Sequence, residues 1–287
     1  MSFQITTAFV QQYSSNVAIL SQQKGSVLRD AVRVEDNIVG KYAYFDQINS
    51  TSARQRTTRH GDTPLISTPH ARRRVTLLDW DWADLIDDLD KVKTLIDPQN
   101  SYALNAAYAM GRAIDEEIIA RARGTAYTGE AGATSTTLPS ANKVAHASGG
   151  LTIAKLRSAR KILRQGNVDK SIPLYMAVSA EELDDLLGTT QVTSADYNTV
   201  RALVQGEIDT FMGFKFIHTE LLTETSSVRY CIAWAEDGLL LGVGANPVGR
   251  ISERADKNYS TQVYYSMSLG ATRMEEAKIV EVQCYHA

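Results

Sequence analysis

The sequence predicts a mixed α+β fold, and two kinds of pattern lead to this prediction. An alanine-rich segment from residue 98 to residue 123 places apolar side chains three and four residues apart, which indicates one long helix. Residues 71–78, 263–269 and 280–284 alternate polar and apolar side chains, as half-buried strands do. With 44% hydrophobic residues in 287, the chain can form one large domain or two smaller ones with their own cores.

The first part of the chain is predicted to contain an arm followed by a long β-hairpin. In residues 1–37 the apolar side chains are scattered among Gln, Ser and Thr, so this segment is either an arm lying on other structure or a segment packed on its own domain. Residues 38–48 and 71–78 are predicted strands, and residues 49–70 between them form a tip of about 20 residues. Loops of that length are uncommon in compact domains and are usually functional or disordered.

The predicted long helix begins at Asp97 and Pro98, because Asp caps helix N-termini and Pro fits the first turn. Gly124 ends the helix, which is then roughly 40 Å long. Its buried stripe is predicted to consist of Leu104, Ala107, Gly111, Ile114, Ile118 and Ala122. Two charge pairs at a spacing of four support its exposed side, namely Arg112–Glu116 and Glu117–Arg121.

The second half is predicted to add a helix, a strand–helix unit and closing strands. A loop rich in Gly, Ala, Ser and Thr over residues 124–150 leads to a helix over 152–165 whose charges are all basic. Residues 172–178 form a strand, and Ser179–Glu182 has the spacing of a capping box that starts another helix. A turn followed by a strand is predicted over residues 206–218.

A reversal of charge between residues 51 and 90 is the strongest functional signal. The segment from Thr51 to Arg74 contains six arginines, one acid and no lysine, whereas the segment from Asp79 to Asp90 contains six aspartates and no base. Opposite potentials steer the encounter of two partners and fix their orientation. The sequence therefore predicts contact between the basic segment of one copy and the acidic segment of another, through Arg54, Arg56, Arg59, Arg72, Arg74, Asp84, Asp87 and Asp88.

Two other interpretations of the arginines stay open. They could belong to a solvated loop without a partner, or they could contact nucleic acid, because guanidinium groups pair well with phosphate. The aspartates in the same chain favour the neighbouring copy, since guanidinium groups also pair with carboxylates in a bidentate manner. The basic helix over residues 152–165 is interpreted as a solvated face, with contact to nucleic acid as the second interpretation.

Patterns for catalysis, cofactor binding or metal binding are not found, so no catalytic residue, cofactor or metal ligand is assigned. The five histidines show no ligand spacing with each other or with the cysteines, and the aspartate block lacks the glycine and the spacing of a calcium loop. Gly242 to Gly244 is interpreted as a tight turn, because Pro247 interrupts the helix that a dinucleotide loop needs. Cys231 and Cys284 suit free thiols in a reducing cytoplasm.

The composition argues against several other classes of protein. The formal net charge of −3 does not suit a generic nucleic-acid binder. The first 23 residues carry no charged side chain, so they lack the basic start of a secretory signal. No stretch approaches the roughly 18 apolar residues that a membrane-spanning helix needs.

The order of these elements resembles the major capsid protein of tailed bacteriophages, which has the Hong Kong 97-like shell fold. Lys41 to Leu78 is similar to the extended loop, and Pro98 to Arg123 is similar to the spine helix of the peripheral domain. Met176 to Leu183, followed by Gly206 to Ile217, is similar to the axial domain. The resemblance implies five segments, namely an arm over 1–37, an extended loop hairpin over 38–78, a peripheral domain over 79–170, an axial domain over 171–244 and the closing peripheral strands over 245–287.

This resemblance implies a structural protein rather than an enzyme. Copies would form hexamers and pentamers of an icosahedral shell that encloses double-stranded DNA through weak, non-specific contacts. The axial domain would point to the ring centre, and the extended loop would lie over the adjacent subunit. The expected location is the virion capsid, after assembly in the host bacterial cytoplasm.

The resemblance also implies a set of partners. These are further copies of the chain, a portal protein, a decoration protein on the outside and a scaffolding protein, with no membrane and no covalent cross-links. A separate scaffolding protein is expected, because the 37 residues before the hairpin are too few for a scaffolding segment. Two alternatives stay open, namely the shell of a bacterial nanocompartment that encloses enzyme cargo and a nucleic-acid-binding module with a basic loop.

Overall fold

The computed structural model describes residues 21–87, 99–188 and 210–285. The first half contains β1 (Arg33–Glu35), β2 (Tyr42–Ile48), β3 (His70–Thr76), β4 (Leu78–Ile86), α1 (Gln99–Arg123), β5 (Ala126–Thr128), β6 (Thr134–Thr136) and β7 (Lys143–Val144). The second half contains α2 (Ile153–Gln165), β8 (Leu174–Val178), α3 (Ala180–Gly188), β9 (Thr210–Phe211), β10 (Phe214–His218), β11 (Glu224–Thr225), β12 (Val228–Ala235), β13 (Leu239–Arg254), β14 (Ser260–Arg273) and β15 (Ile279–Tyr285). The predicted α+β class is confirmed.

The described strands form three sheets. The long-strand sheet has the order β1-β13-β14-β4, in which β1 is parallel to β13 and the other pairs are antiparallel. The seven-stranded sheet has the order β7-β15-β12-β8-β10-β9, with β11 paired to β12. The hairpin sheet has the order β2-β3-β5-β6, so the short hairpin after α1 extends the long predicted hairpin.

One hydrophobic core joins the helices to the long-strand sheet and the seven-stranded sheet. Helix α1 packs on β14, β13 and β4, and its buried residues belong to the same cluster as Trp234 of β12. Helix α2 packs on β15, and its Leu156, Ala159 and Leu163 are fully buried in this core. A second, small cluster of Val75, Leu240 and Met274 lies where the long hairpin leaves the body.

The described part of the predicted arm, residues 21–37, packs on its own chain. Gly111 of α1 lies directly under this segment, because a Cβ atom there would come within 2.4 Å of the backbone of Gly25. The Asp115 carboxylate is fully buried and accepts four hydrogen bonds from this segment. The donors are Gln23 Nε2 (2.5 Å), Ser26 Oγ (2.5 Å), Val27 N (3.0 Å) and Leu28 N (3.1 Å).

Asp115→Ala should lower the free energy of unfolding of the dissociated subunit by about 2–3 kcal/mol, because it leaves buried backbone donors without an acceptor. Urea unfolding measures the decrease in the free energy of unfolding. Limited proteolysis shows whether the chain between residues 21 and 28 has become more accessible. Glu116→Ala is the matched control, since Glu116 is exposed on the same helix and its loss should change stability by less than about 0.5 kcal/mol. Equal effects of the two substitutions would contradict this role of Asp115.

Two details of the predicted helix over residues 98–123 are wrong. Leu104 and Ala107 were predicted to be buried, but they are exposed. Near its N-terminus α1 turns a different face to the core, which contains Ala106 and Met110. Arg112 does not pair with Glu116, since its guanidinium donates to Gln22 Oε1 at 2.7 Å. The Glu117–Arg121 pair is confirmed at 2.8 Å, and the helix ends before Gly124 as predicted. The predicted start at Asp97 and Pro98 lies outside the described residues.

The predicted capping box at Ser179–Glu182 is confirmed, and α2 has an N-cap that was not assigned from the sequence. Thr152 caps α2 by accepting a hydrogen bond from Lys155 N, and Ser179 N donates to Glu182 Oε2 at 2.9 Å at the start of α3. The solvated-face interpretation of α2 is wrong for Lys155, which is buried and donates to three backbone carbonyls, those of Gly149, Gly150 and Gln283. Burial lowers the pKa of this ammonium group.

The sequence interpretation missed the length of β13. Gly242 to Gly244 lies inside this strand and is not a tight turn, because two register shifts between Val243 and Val248 absorb the irregular residues while the pairing with β14 continues. Strand β13 also crosses the domain boundary drawn at residue 245, and β15 pairs with β12 in the seven-stranded sheet. Among the described helices, none combines the length and the apolar character needed to cross a lipid bilayer.

Candidate assembly interface

The long hairpin formed by β2 and β3 carries its own charge pairing. Asp46 and Arg72 are directly opposite in the antiparallel register, and Arg72 Nε donates to Asp46 Oδ1 at 2.6 Å. This hydrogen bond lowers the pKa of the Asp46 carboxyl. Arg72, predicted to contact a neighbour, therefore already has a carboxylate partner within its own strand pair.

Arg74, the second predicted strand arginine, lies between two tyrosine rings. Its guanidinium carbon is 4.8 Å from the Tyr42 ring centroid and 4.5 Å from the Tyr127 ring centroid. Gly132 lies against its side chain, since a Cβ atom there would approach Arg74 Cδ to 2.7 Å. Through these cation–π contacts, arginine and tyrosine side chains lie side by side on the outer face of the hairpin sheet.

The inner face of β3 fixes the hairpin to the body. Arg73 is buried, as the alternation of the strand predicts, and its Nε donates to Met274 O at 2.9 Å. The Nη2 atom of Arg73 donates to Glu276 Oε2 at 2.5 Å. Arg273 is fully buried on the same carboxylate, with Nε 3.9 Å from Glu276 Oε1, and burial lowers the pKa of its guanidinium. The rest of Arg273 binds backbone carbonyls of Ala122, Gly124 and Thr136.

Three glycines let the hairpin pass closely over the long-strand sheet. A Cβ atom at Gly270 would lie 2.0 Å from Thr76 O, and one at Gly244 would lie 2.8 Å from Leu77 Cδ1. A Cβ atom at Gly242 would lie 2.6 Å from Ile38 Cδ1. The sequence interpretation missed this crossing, although the glycines themselves, placed in two strand-like segments, were a signal of close backbone approach.

The segment between β2 and β3, residues 49–69, is called the long loop. A backbone hydrogen bond from Asn49 N to Pro69 O (3.0 Å) closes its base. Every one of its residues is exposed, so the long loop does not lie on the body of its own chain. Leu65 is 97% exposed at its surface. In the described part of the chain, Arg54, Arg56 and Arg59 form no ion pair, and Arg56 Nε donates only to Thr58 O at 2.8 Å.

The predicted acidic segment begins as β4, an edge strand of the long-strand sheet. Asp79, Asp81 and Asp84 are exposed, while the alternate residues Trp80 and Trp82 pack against the core. A charged row of this kind discourages unwanted pairing at a sheet edge.

In the described residues, the two charge blocks of one chain form no ion pair with each other. Asp84 Oδ1 accepts from the adjacent Leu85 N at 2.8 Å, and Asp87 has a partner within its own chain. Asp88 and Asp90 lie outside the described residues. No ion pair in the described segments joins Arg54, Arg56 or Arg59 to this acidic segment. The contact between copies therefore remains a prediction.

One buried group in the described part could in principle hold a metal ion. Glu182, Cys231 and Cys284 have donor atoms within 4.8 Å of one another. A structural zinc site uses four donors, one more than this group offers. Glu182 already accepts from Ser179 N, and the neighbouring Cys284 thiol together with burial raises the pKa of Cys231 well above its usual value. Packing and capping account for all three side chains.

Comparison with known proteins identifies the family. A family model described as phage capsid protein matches residues 5–286. No curated protein sequence matches the chain. Among solved structures, the capsid of Ralstonia phage GP4 has a TM-score of 0.75 at 10% identity and covers 98% of this chain and 96% of that one.

Two cyanophage capsids are similar to the same extent. The Pam1 capsid has a TM-score of 0.72 at 12% identity and covers 98% of this chain and 97% of that one. The P-SCSP1u capsid has a TM-score of 0.71 at 16% identity and covers 99% of this chain and 95% of that one. These likenesses show the fold, while the family match spans nearly the whole sequence. The chain therefore belongs to the phage capsid protein family, and it is a major capsid protein with the Hong Kong 97-like shell fold that associates with copies of itself in the virion capsid.

Proposed function

We propose that copies of this chain assemble as hexamers and pentamers into an icosahedral shell around double-stranded DNA, and that the long loop of each copy lies on its neighbour. The observation that carries this proposal is the exposure of all residues from 49 to 69. Held to the body only at its base, the long loop offers three arginines without a carboxylate partner in the described part of the chain. A surface of this kind is suited to a second molecule.

The physics of repeated contacts supports this arrangement. Contacts between two different patches of the same subunit close into rings or shells when the rotation permits. Each exposed ion pair contributes only about 0–1 kcal/mol, so a misplaced subunit can leave before many pairs have formed. Asp84, Asp87 and Asp88 are the acidic residues that we propose as the neighbour's partners for the loop arginines.

Reversing the loop charge with Arg54→Glu, Arg56→Glu and Arg59→Glu should abolish shell assembly and leave the subunit folded. The reason is that all three side chains are exposed, so the fold does not depend on them, while attraction to the acidic neighbour becomes repulsion. Light scattering and negative-stain microscopy measure the particles, and circular dichroism measures the fold.

Two matched variants sharpen this test. Replacing the same three arginines with lysine keeps the charge and should keep assembly. Adding Asp84→Arg, Asp87→Arg and Asp88→Arg to the glutamate variant should restore part of the assembly when these aspartates are the partners. Normal particles from the glutamate variant would overturn the loop-to-neighbour contact.

The remaining partners are inferred from the family and not from contacts in the structure. They are a separate scaffolding protein, a portal protein, a decoration protein on the outside, and enclosed DNA held by weak, non-specific contacts, without a membrane. We assign the chain no catalytic role. Assembly in the host bacterial cytoplasm suits the two buried free thiols, Cys231 and Cys284, because a reducing compartment keeps such groups unpaired.

A further inference from the structure

A groove of about 600 Å³ opens on the body between residues 29–34, the start of β8 and the turn before β13. Its floor is apolar, because Val32 is buried and Val34 and Ile172 pack against the core with part of their surface open. Its rim carries carboxylates. We call it the acceptor groove and define it by Asp30, Val32, Val34, Ile172, Pro173 and Glu236.

The two rim carboxylates have no cationic partner in the described part of the chain. Neither Asp30 nor Glu236 forms an ion pair there with a lysine or an arginine. Both line this one groove, and burial together with these two carboxylates raises the pKa of Tyr175 on the adjacent strand β8. A cation bound in this groove would be attracted by both carboxylates.

The arginines that line the acceptor groove are engaged elsewhere. Arg29 is 3.8 Å from Asp36, and Arg33 is paired with Glu35. A third carboxylate, that of Asp237, binds Lys278 through Oδ2 at 2.6 Å, while its buried Oδ1 has no hydrogen-bond partner. The groove therefore combines apolar walls with unused acceptors, which suits an occupant that brings apolar side chains and a cation.

The long loop offers this combination. Leu65 is 97% exposed and Ile66 is 53% exposed, so two adjacent apolar side chains lie in solvent. Arg54, Arg56 and Ile66 line the same small concavity of the loop, which places cationic and apolar groups together. Burial of such side chains is favourable at about 25 cal/mol per Å² of apolar surface.

We propose that the acceptor groove of one copy binds Leu65 and Ile66 of the neighbouring copy's long loop, with an arginine of that loop between Asp30 and Glu236. This inference rests on the proposed function and adds the acceptor site on the neighbour. The occupant comes from another copy, because every residue of the long loop is exposed and none lies in the groove of its own chain. Loop and groove are two different patches of one subunit, so the contact can propagate around a ring.

Site-directed cross-linking in assembled full-length shells tests the contact. With Leu65→Cys and Ile172→Cys in one chain, a short bismaleimide should produce a ladder of covalently joined copies in denaturing electrophoresis. The native Cys231 and Cys284 are buried and do not compete. The control pair is Val39→Cys with Ile172→Cys, because Val39 is equally exposed, at 94%, and lies outside the loop. Absence of a ladder, or an equal ladder from the control, would overturn the proposal.

Assembly measurements test the energetic part. Leu65→Asp should raise the subunit concentration needed for assembly at least tenfold, whereas Val39→Asp should leave it unchanged. Asp30→Lys with Glu236→Lys should raise it to a similar extent while circular dichroism stays unchanged, because these changes place two cations opposite the loop arginines.

The two levels of the proposal fail in different ways. One set of results would overturn only the binding of the long loop in the acceptor groove. In that set, the loop-charge reversal blocks assembly, the groove variants assemble normally and no Leu65–Ile172 cross-link forms. The proposed function then stands. Normal assembly of the loop-charge variant overturns both.

Discussion

Glu276→Ala should lower the free energy of unfolding of the subunit by about 3–5 kcal/mol, because it leaves two buried guanidinium groups without a carboxylate. Arg73 is 7% exposed and Arg273 is 0% exposed, and both face this one side chain. The same change should also loosen the root of the hairpin, since Glu276 in the turn after β14 pairs with Arg73 of β3. We therefore expect loss of shells as well as loss of stability.

Urea unfolding of dissociated subunits measures this effect. Glu275→Ala is the matched control, because Glu275 is 49% exposed and pairs with Lys278 at 3.2 Å, so its loss should change stability by less than about 1 kcal/mol. Adding Arg73→Met to Glu276→Ala should recover part of the loss by removing one unpaired charge, and a double-mutant cycle measures that coupling. A Glu276→Ala subunit as stable as the Glu275→Ala subunit would show that the buried charge cluster does not hold the hairpin root.

The parts of the fold predicted from sequence are those whose signal lies within a few residues. The capping box at Ser179–Glu182, the end of α1 before Gly124 and the alternation in β14 and β15 depend on near neighbours in sequence. Strand β13 was missed because a glycine pair followed by a proline indicates a turn locally, while the partner strand β14 holds it extended. Its conformation is therefore decided by residues far along the chain.

In the candidate interface, too, the features that depend on local sequence were predicted and those that depend on distant residues were not. Exposure of the long loop follows from its own composition, and its arginines were found as a block of one charge. The role of Arg73 could not be predicted, since its carboxylate partner Glu276 lies 203 positions further along the chain. The partners of Arg72 and Arg74 were missed for a related reason, because Asp46 and the two tyrosines meet these arginines only once the register of the hairpin sheet is set.

Gly270→Ala should destabilise the subunit by about 3 kcal/mol and prevent normal assembly, because the added Cβ atom has no room. It would lie 2.0 Å from Thr76 O and 2.9 Å from Thr76 C, and both are backbone atoms. Thr76 cannot easily move, since it is paired with Tyr42 in the hairpin and the next residue, Leu77, donates its N–H to Lys41 O. The strain must lift the hairpin away from β14 and change the direction in which the long loop projects.

Gly149→Ala is the matched control, because no atom lies within 4 Å of the added Cβ position there and the backbone is not left-handed. That change should leave stability within about 1 kcal/mol or raise it slightly, since alanine restricts the unfolded chain. Urea unfolding compares the two variants, and microscopy of the particles shows whether the loop still reaches its neighbour. If Gly270→Ala unfolds like the parent chain and still forms regular shells, then the direction of the hairpin is not fixed at this crossing, and the glycines at β13 and β14 must be explained by something other than close approach.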